Sequence, residues 1–199
     1  MANKVLLFVE GATDKVLFLK ILELYKTMSP KSRKVKCVVK SLDSVTNYSS
    51  KAKRILRNEV QSIQGTRDII KTVLCSYDTD ILEFSHKPPI DWGILKPDLE
   101  KIVGEGKVVQ IPVEKSIEDW LLADIDGICK YLKVKSKPRK LQGKSGFEKM
   151  KNWFKLKGKV YNKGYDSENI VKHLNIAQIE KVNTDALKPL RVALGIEKP

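Results

Sequence analysis

The sequence predicts an α/β fold with a Rossmann-like, four-stranded parallel sheet flanked by helices, followed by a small, basic, helical C-terminal region. Short apolar runs alternate along the first two thirds of the chain with segments in which apolar residues recur at helical spacing. Positive charge is concentrated in the last third of the chain, after these segments. Residues 1–126 contain 20 Lys and Arg against 18 Asp and Glu, whereas residues 127–199 contain 18 against 6, a net charge of +12. This distribution favours a nucleic-acid partner, with a solvated lysine-rich surface as the alternative.

Four apolar runs predict the strands. The first, VLLFV at 5–9, is continuously apolar, as expected of a parallel strand that is buried on both faces. The other strands are predicted at 34–40, 71–77 and 107–112. Each run precedes a segment with helical periodicity, and we expect helices from a cap at Thr13 to about Thr27, at 49–65, at 92–103 and at 116–132. This alternation predicts a parallel sheet covered by helices on both faces.

The character of the sequence changes at residue 133. The stretch KVKSKPRKLQGKSG is basic and rich in Pro and Gly, and it is followed by short helical patterns at 146–155, 167–174 and 184–194. We therefore predict an α/β domain at 1–132 and a basic, mainly helical appendage at 133–199. Its aromatic residues could either stack on bases or form a small core; these are Trp153, Tyr161 and Tyr165.

Several classes of protein are disfavoured by composition. Three widely spaced cysteines, at 37, 75 and 129, indicate neither a disulfide framework nor a zinc site. His86 and His173 have no neighbourhood that suggests a catalytic triad. No apolar run reaches the ~18 residues needed to cross a bilayer. A soluble cytoplasmic protein without a membrane partner is expected, and the oligomeric state is left open.

Acidic residues follow three of the four predicted strands. Glu10 follows the first, Asp78 and Asp80 the third, and Glu114 and Glu118 come after the fourth. Ligands of open parallel sheets bind beyond the carboxyl ends of the strands. Carboxylate oxygens suit Mg²⁺ or Mn²⁺, and clustered carboxylates repel one another unless a cation is present. We therefore predict a site that binds Mg²⁺ or Mn²⁺ and handles phosphate.

Some of these residues have a structural explanation as well. Asp14 could complement the helix dipole in the first turn of its helix. Ser116 and Asp119 fit a capping box at the start of the fourth helix. Lys115 could be an exposed lysine or could stabilise charge on a phosphoryl transition state.

The motif VEGATD at 9–14, followed by YDTD at 77–80, resembles the TOPRIM domain of topoisomerases, bacterial primases and OLD-family nucleases. The resemblance covers about residues 4–126. The stretch SIEDWLLAD at 116–124, with YNKG at 161–164, is similar to small stand-alone TOPRIM-like proteins, some of them encoded beside ABC- or SMC-type ATPases.

The resemblance implies a role for each matching residue. Glu10 would be a general acid/base or a metal ligand, and Asp78 and Asp80 would bind Mg²⁺. Asp14 would lie near a second metal ion. Glu114 or Glu118 would take the place of the later acid in OLD-family enzymes.

We therefore expect a metal-dependent nuclease that cleaves DNA or RNA and acts in phage defence or RNA processing, with an ATPase as a candidate partner. A chain of this length lacks the extra domains of topoisomerases and primases. The alternative is a non-catalytic nucleic-acid-binding or regulatory subunit, and a phosphatase or receiver domain is a weaker third option. The residues expected to contact nucleic acid are Lys51, Arg54, Arg57 and Lys163.

Overall fold

A computed structural model gives the structure of residues 3–66, 68–80 and 90–198. Its four strands are β1 (Asn3–Val9), β2 (Val35–Ser41), β3 (Ile69–Asp78) and β4 (Val108–Val113). They form one all-parallel sheet in the order β2-β1-β3-β4. The predicted α/β class, with a four-stranded parallel sheet flanked by helices, is confirmed. Because all strands run the same way, the ends of β1, β3 and β4 lie at one edge of the sheet. His86 lies outside the described residues.

The helices of the described ranges surround this sheet. They are α1 (Ala12–Met28), α2 (Pro30–Arg33), α3 (Lys53–Ser62), α4 (Trp92–Val103), α5 (Ile117–Leu121), α6 (Ile125–Leu132), α7 (Gly146–Leu156), α8 (Ser167–Val171), α9 (Ile176–Val182) and α10 (Thr184–Ala193). A 3₁₀ turn (Val45–Asn47) and a π turn (Tyr48–Ala52) precede α3. None of the helices in these ranges combines the length and the apolar character needed to span a bilayer.

Two helix predictions differ from the structure. The predicted helix at 116–132 is two helices, because the first ends at Leu121 and Asp124 caps the second by accepting a hydrogen bond from the Gly127 N–H. Thr13 is not a cap, since α1 begins one residue earlier, after Gly11. The short helix α9 was not predicted; its cap is Asn175, whose side chain accepts from the Gln178 N–H.

Each face of the sheet carries its own hydrophobic core. Along β1, Leu6 and Phe8 point into one core, and Val5, Leu7 and Val9 point into the other, as the two-residue period of a strand requires. The first core also contains buried side chains of α3 and α4. The second contains those of α1 and of the helices from α5 to α10.

The C-terminal helices therefore share a core with the sheet. The Trp153 and Tyr161 rings are buried in it, and the boundary placed at 132/133 does not separate two cores. Tyr165 differs from them, because 83% of its surface is exposed.

A buried and a half-buried carboxylate, Asp124 and Asp119, fix the C-terminal region in place. Asp124 accepts from the Asn175 N–H at 2.6 Å, and Asp119 accepts from the Gly146 N–H at 3.2 Å and pairs with Lys149. The Ser116 hydroxyl donates to Asp119, so this pair does not form the predicted capping box. Asp119 joins α5 to α7 instead.

We predict that Gly127→Ala destabilises the protein by about 2 kcal/mol, although alanine favours a helix by ~1 kcal/mol over glycine. A β-carbon at Gly127 would lie 2.7 Å from the His173 carbonyl oxygen and 2.8 Å from the Leu174 side chain. Urea unfolding measures the change.

Gly93→Ala in α4 is the matched control for that substitution. Among the described residues, its β-carbon would meet only the Asp91 side chain within 4 Å, at 3.2 Å, so we expect the free energy of unfolding to change by less than about 1 kcal/mol. Equal effects of the two substitutions would contradict close packing of the C-terminal region against α6.

Candidate active site

Four carboxylates and one ammonium group meet where the strands end. We call Glu10, Asp14, Asp78 and Glu118 the acidic cluster. Glu10 follows β1, Asp14 lies in the first turn of α1, Asp78 ends β3 and Glu118 lies in α5. The ammonium group of Lys163 comes from the loop between α7 and α8 and lies 3.3 Å from Glu118 and 3.9 Å from Asp78. The structure thus brings together five of the predicted site residues.

Hydrogen bonds to the main chain hold Glu10 and Asp78 in place. The Asp78 N–H donates to Glu10 Oε1 at 2.9 Å, and Asp78 Oδ1 accepts from the Ile117 N–H at 3.0 Å. These bonds connect the end of β1 to the end of β3, and the end of β3 to the start of α5. The carboxylates are therefore positioned by the ends of regular elements rather than by long loops.

Asp14 is deeply buried, although an acid that only complements a helix dipole can do so from the surface. It is 1% exposed, and its Oδ1 has no hydrogen-bond partner within the described ranges. A buried carboxylate oxygen without a partner is unusual and costs free energy. Gly11 leaves room beside this carboxylate, because a β-carbon there would lie 3.4 Å from Asp14 Oδ2. Asp14 therefore belongs to the site.

Glu118 is fully buried and is bound by the C-terminal part of the chain. Its Oε1 accepts from the Tyr161 hydroxyl at 3.2 Å, and its Oε2 pairs with Lys163. The Gly164 N–H, one residue further, donates to the Thr13 hydroxyl at 3.0 Å. Sequence reasoning missed Tyr161 and Thr13 as parts of the site. The signal that could have revealed them is their place in the stretches that carry the resemblance, YNKG for Tyr161 and VEGATD for Thr13.

Burial and mutual repulsion raise the pKa of Glu10, Asp14 and Asp78. Burial is the largest cause in each case, and it raises the pKa of Glu10 to about 7, of Asp14 to about 6 and of Asp78 to about 9, with contributions from neighbouring negative charges. Lys163 counters this shift in each case. Burial alone would lower the pKa of Lys163, but the charges of Glu118, Asp78 and Asp14 outweigh that effect and raise it. Lys163 is therefore cationic at neutral pH.

The remaining predicted acids lie outside the cluster. Asp80 is half-buried and near enough for its charge to raise the pKa of Glu10, and it lies two residues beyond Asp78, where β3 ends. Glu114 and Lys115 are exposed in the turn after β4. Lys115 has a positive φ of 62°, and its N–H donates to the Thr79 hydroxyl.

Lys51 and Arg54, two of the predicted basic residues, lie near the same edge of the sheet. Lys51 forms an ion pair with Asp43, whereas Arg54 and Arg57 are exposed on α3. A cavity of about 280 Å³ is lined by Asn47, Ser50, Lys51 and Arg54. The cavity adjoins the strand ends, since the Asn47 amide donates to the Leu42 carbonyl and the Leu42 N–H donates to the carbonyl of Val9, which precedes Glu10.

We predict that Asp78→Asn stabilises the protein at about pH 8 and that the gain shrinks towards about pH 4. The folded-state pKa of about 9 lies above the ordinary value of 3.8, so the folded protein binds this proton more tightly than the unfolded chain. Stability contributed by this group is therefore lost as the pH rises between these values. One pKa unit corresponds to about 1.4 kcal/mol, and we expect a gain of at least that size.

Urea unfolding in EDTA across this pH range measures the gain. Glu105→Gln is the control, because Glu105 is exposed in the turn before β4, at the opposite edge of the sheet, and its substitution should leave the pH profile unchanged. If the free energies of unfolding of Asp78→Asn and the wild type change in parallel with pH, the pKa of Asp78 is not raised in the folded protein.

Comparison of the chain with protein-family models, with curated protein sequences and with solved structures finds no match.

Proposed function

We propose that this protein is a metal-dependent nuclease of TOPRIM type, which hydrolyses phosphodiester bonds of DNA or RNA. The observation that carries the proposal is the acidic cluster, in which four buried or half-buried carboxylates surround one ammonium group at the carboxyl edge of a parallel sheet. Burying like charges lowers stability, so a cluster of this kind is more readily explained by function than by folding.

The donor chemistry of the cluster fits Mg²⁺ or Mn²⁺. Its carboxylates outnumber its cationic side chain, and Asp14 keeps a buried oxygen without a partner within the described ranges. Among these residues no group of three His, Cys, Asp or Glu side chains is arranged to hold a metal ion. Carboxylate oxygens suit magnesium better than zinc, and magnesium takes one or two carboxylates and completes its shell with water and phosphate. Asp14 and Asp78 would hold the ion, with Asp80 beside them.

When bound, such an ion supplies charge stabilisation at the phosphate and a more acidic water. The chain's own residues supply the rest. Glu10, with a pKa of about 7, can accept or release a proton at neutral pH and is the general acid/base. Lys163 stays charged, and its side chain is 44% exposed, so it can contact a phosphate oxygen. Glu118 acts as a positioning residue, since its oxygens hold Tyr161 and Lys163.

The resemblance to TOPRIM domains supports the same reaction. The acid that follows β1 and the acid that ends β3 stand where that motif needs them, at neighbouring strand ends of a parallel α/β sheet. In this proposal Lys115 and Glu114, both exposed beyond β4, contact the substrate from the rim of the site. The roles in phage defence or RNA processing, and an ABC- or SMC-type ATPase partner, depend on the resemblance alone.

We predict that the purified protein cleaves nucleic acid with Mg²⁺ or Mn²⁺ and not with EDTA. Asp78→Asn should lower the rate by at least about a hundredfold, because it removes a carboxylate from the centre of the cluster. The assay uses plasmid, single-stranded DNA and structured RNA, and Glu105→Gln is the control that should keep full activity. Cleavage that persists in Asp78→Asn would place the chemistry elsewhere or attribute it to a contaminant.

A non-catalytic binding or regulatory subunit is the second candidate function. The observation that favours it is the contact of Lys163 with both Glu118 and Asp78, because this contact offsets part of the cluster's charge without any metal ion. In that case the protein binds nucleic acid, shows no metal-dependent turnover, and its binding survives Asp78→Asn.

We also predict that Arg54→Glu weakens binding of nucleic acid more than Arg57→Glu does. Both arginines are exposed on α3, but only Arg54 lines the cavity beside the strand ends. Loss of one phosphate contact should reduce, by about one, the slope of the logarithm of the binding constant against the logarithm of the salt concentration. Titrations at several salt concentrations measure it, and equal effects would indicate a diffuse basic surface rather than a defined contact.

A further inference from the structure

We propose that Tyr165 is a stacking platform for an unpaired base and that the substrate is therefore single-stranded nucleic acid. This inference rests on the proposed function and specifies the substrate class of the same site. Among the described residues Tyr165 is the most exposed aromatic side chain, at 83%, whereas the neighbouring Trp153 and Tyr161 are buried.

The loop that carries this ring is held on both sides. Before it, Gly164 donates its N–H to Thr13, and Lys163 pairs with Glu118. After it, Asp166 accepts from the Asn162 N–H at 3.0 Å, and the hydroxyl of Ser167, which is buried, donates to the Gly164 carbonyl at 2.7 Å. The main chain on either side of Tyr165 is thus fixed while the ring faces solvent. A fixed, exposed ring can bind a flat ligand without first ordering the loop.

The ring also lies close to the acidic cluster. Tyr165 is two residues from Lys163, so their α-carbons are at most roughly 7 Å apart. The Lys163 ammonium in turn lies 3.3 Å from Glu118 and 3.9 Å from Asp78. Gly164 packs against the start of α1, where a β-carbon on it would lie 3.5 Å from the Ala12 β-carbon. One nucleic-acid strand can therefore touch the ring and the acids together.

Stacking on this ring requires a base that is not already stacked in a duplex. In a double helix the faces of each base are covered by its neighbours, whereas an unpaired base exposes a face to an aromatic side chain. Cationic side chains that would follow the backbone of such a strand are on the same loop or just before it, at Lys163 and at the exposed Lys157. Stacking distinguishes bases only weakly, so we expect little sequence preference.

The test measures binding in EDTA, where no cleavage takes place. Fluorescence anisotropy compares a short single-stranded oligonucleotide with the duplex of the same sequence. Tyr165→Ala should weaken binding of the single strand by roughly five- to a hundredfold, and Tyr165→Phe should restore most of it. The matched control is Leu156→Ala, since Leu156 is also apolar and exposed but lies at the end of α7. Because Tyr165 is exposed, the alanine variant should keep the wild-type unfolding curve.

A second measurement tests whether the Tyr165 ring contacts one base of the oligonucleotide. One abasic nucleotide is placed at each position of the oligonucleotide in turn. At one position the abasic site should weaken binding of the wild type by a similar factor, and it should have no further effect on Tyr165→Ala. The inference is overturned if Tyr165→Ala binds the single strand as the wild type does, if it loses duplex binding equally, or if the wild type binds no single strand.

These outcomes separate the inference from the proposed function. Metal-dependent cleavage that is unchanged in Tyr165→Ala, with unchanged binding, overturns the stacking platform and leaves the nuclease in place. Binding that depends on Tyr165, in a protein that cleaves nothing with Mg²⁺ or Mn²⁺, supports the platform and overturns the nuclease.

Discussion

The ion pair between Lys163 and Glu118 is the interaction on which the rest of the site depends. Glu118 is fully buried, and a buried carboxylate that lost its partner would cost several kcal/mol. Since Lys163 comes from the loop before α8, this requirement holds the C-terminal part of the chain over the strand ends. The bonds from Tyr161 to Glu118 and from Gly164 to Thr13 then fix the same loop in a second and third place.

The acidic cluster lowers the stability of the folded protein. Burial and mutual repulsion raise the pKa of Glu10, Asp14 and Asp78, so the folded protein is less stable when these three carboxylates are ionised. The hydrophobic cores on the two faces of the sheet supply the opposing stabilisation. A parallel sheet suits this arrangement, because the cores lie along the strands while the charged groups lie beyond their ends.

The C-terminal region contributes to the core and to the site at once. Its buried aromatic rings complete the core on one face of the sheet, and its lysines remain on the outside. The excess of positive charge in residues 127–199 is therefore compatible with a packed part of the molecule and does not require a separate tail. Between the buried Tyr161 and the exposed Tyr165, three residues change the direction of the chain from the core to the solvent.

The sequence by itself determined the α/β class, the approximate positions of the four strands, and the delivery of Glu10 and Asp78 to the same edge of the sheet. These follow from local periodicity and from the parallel direction of the strands. Only the tertiary structure decided that Asp14 and Glu118 join them, that Asp80 departs from the strand and that Trp153 and Tyr161 are core residues. It also decided that Lys163 and Tyr161 meet Glu118. These contacts join residues far apart in the chain, and their formation depends on how the C-terminal helices pack against α1, which no local pattern encodes.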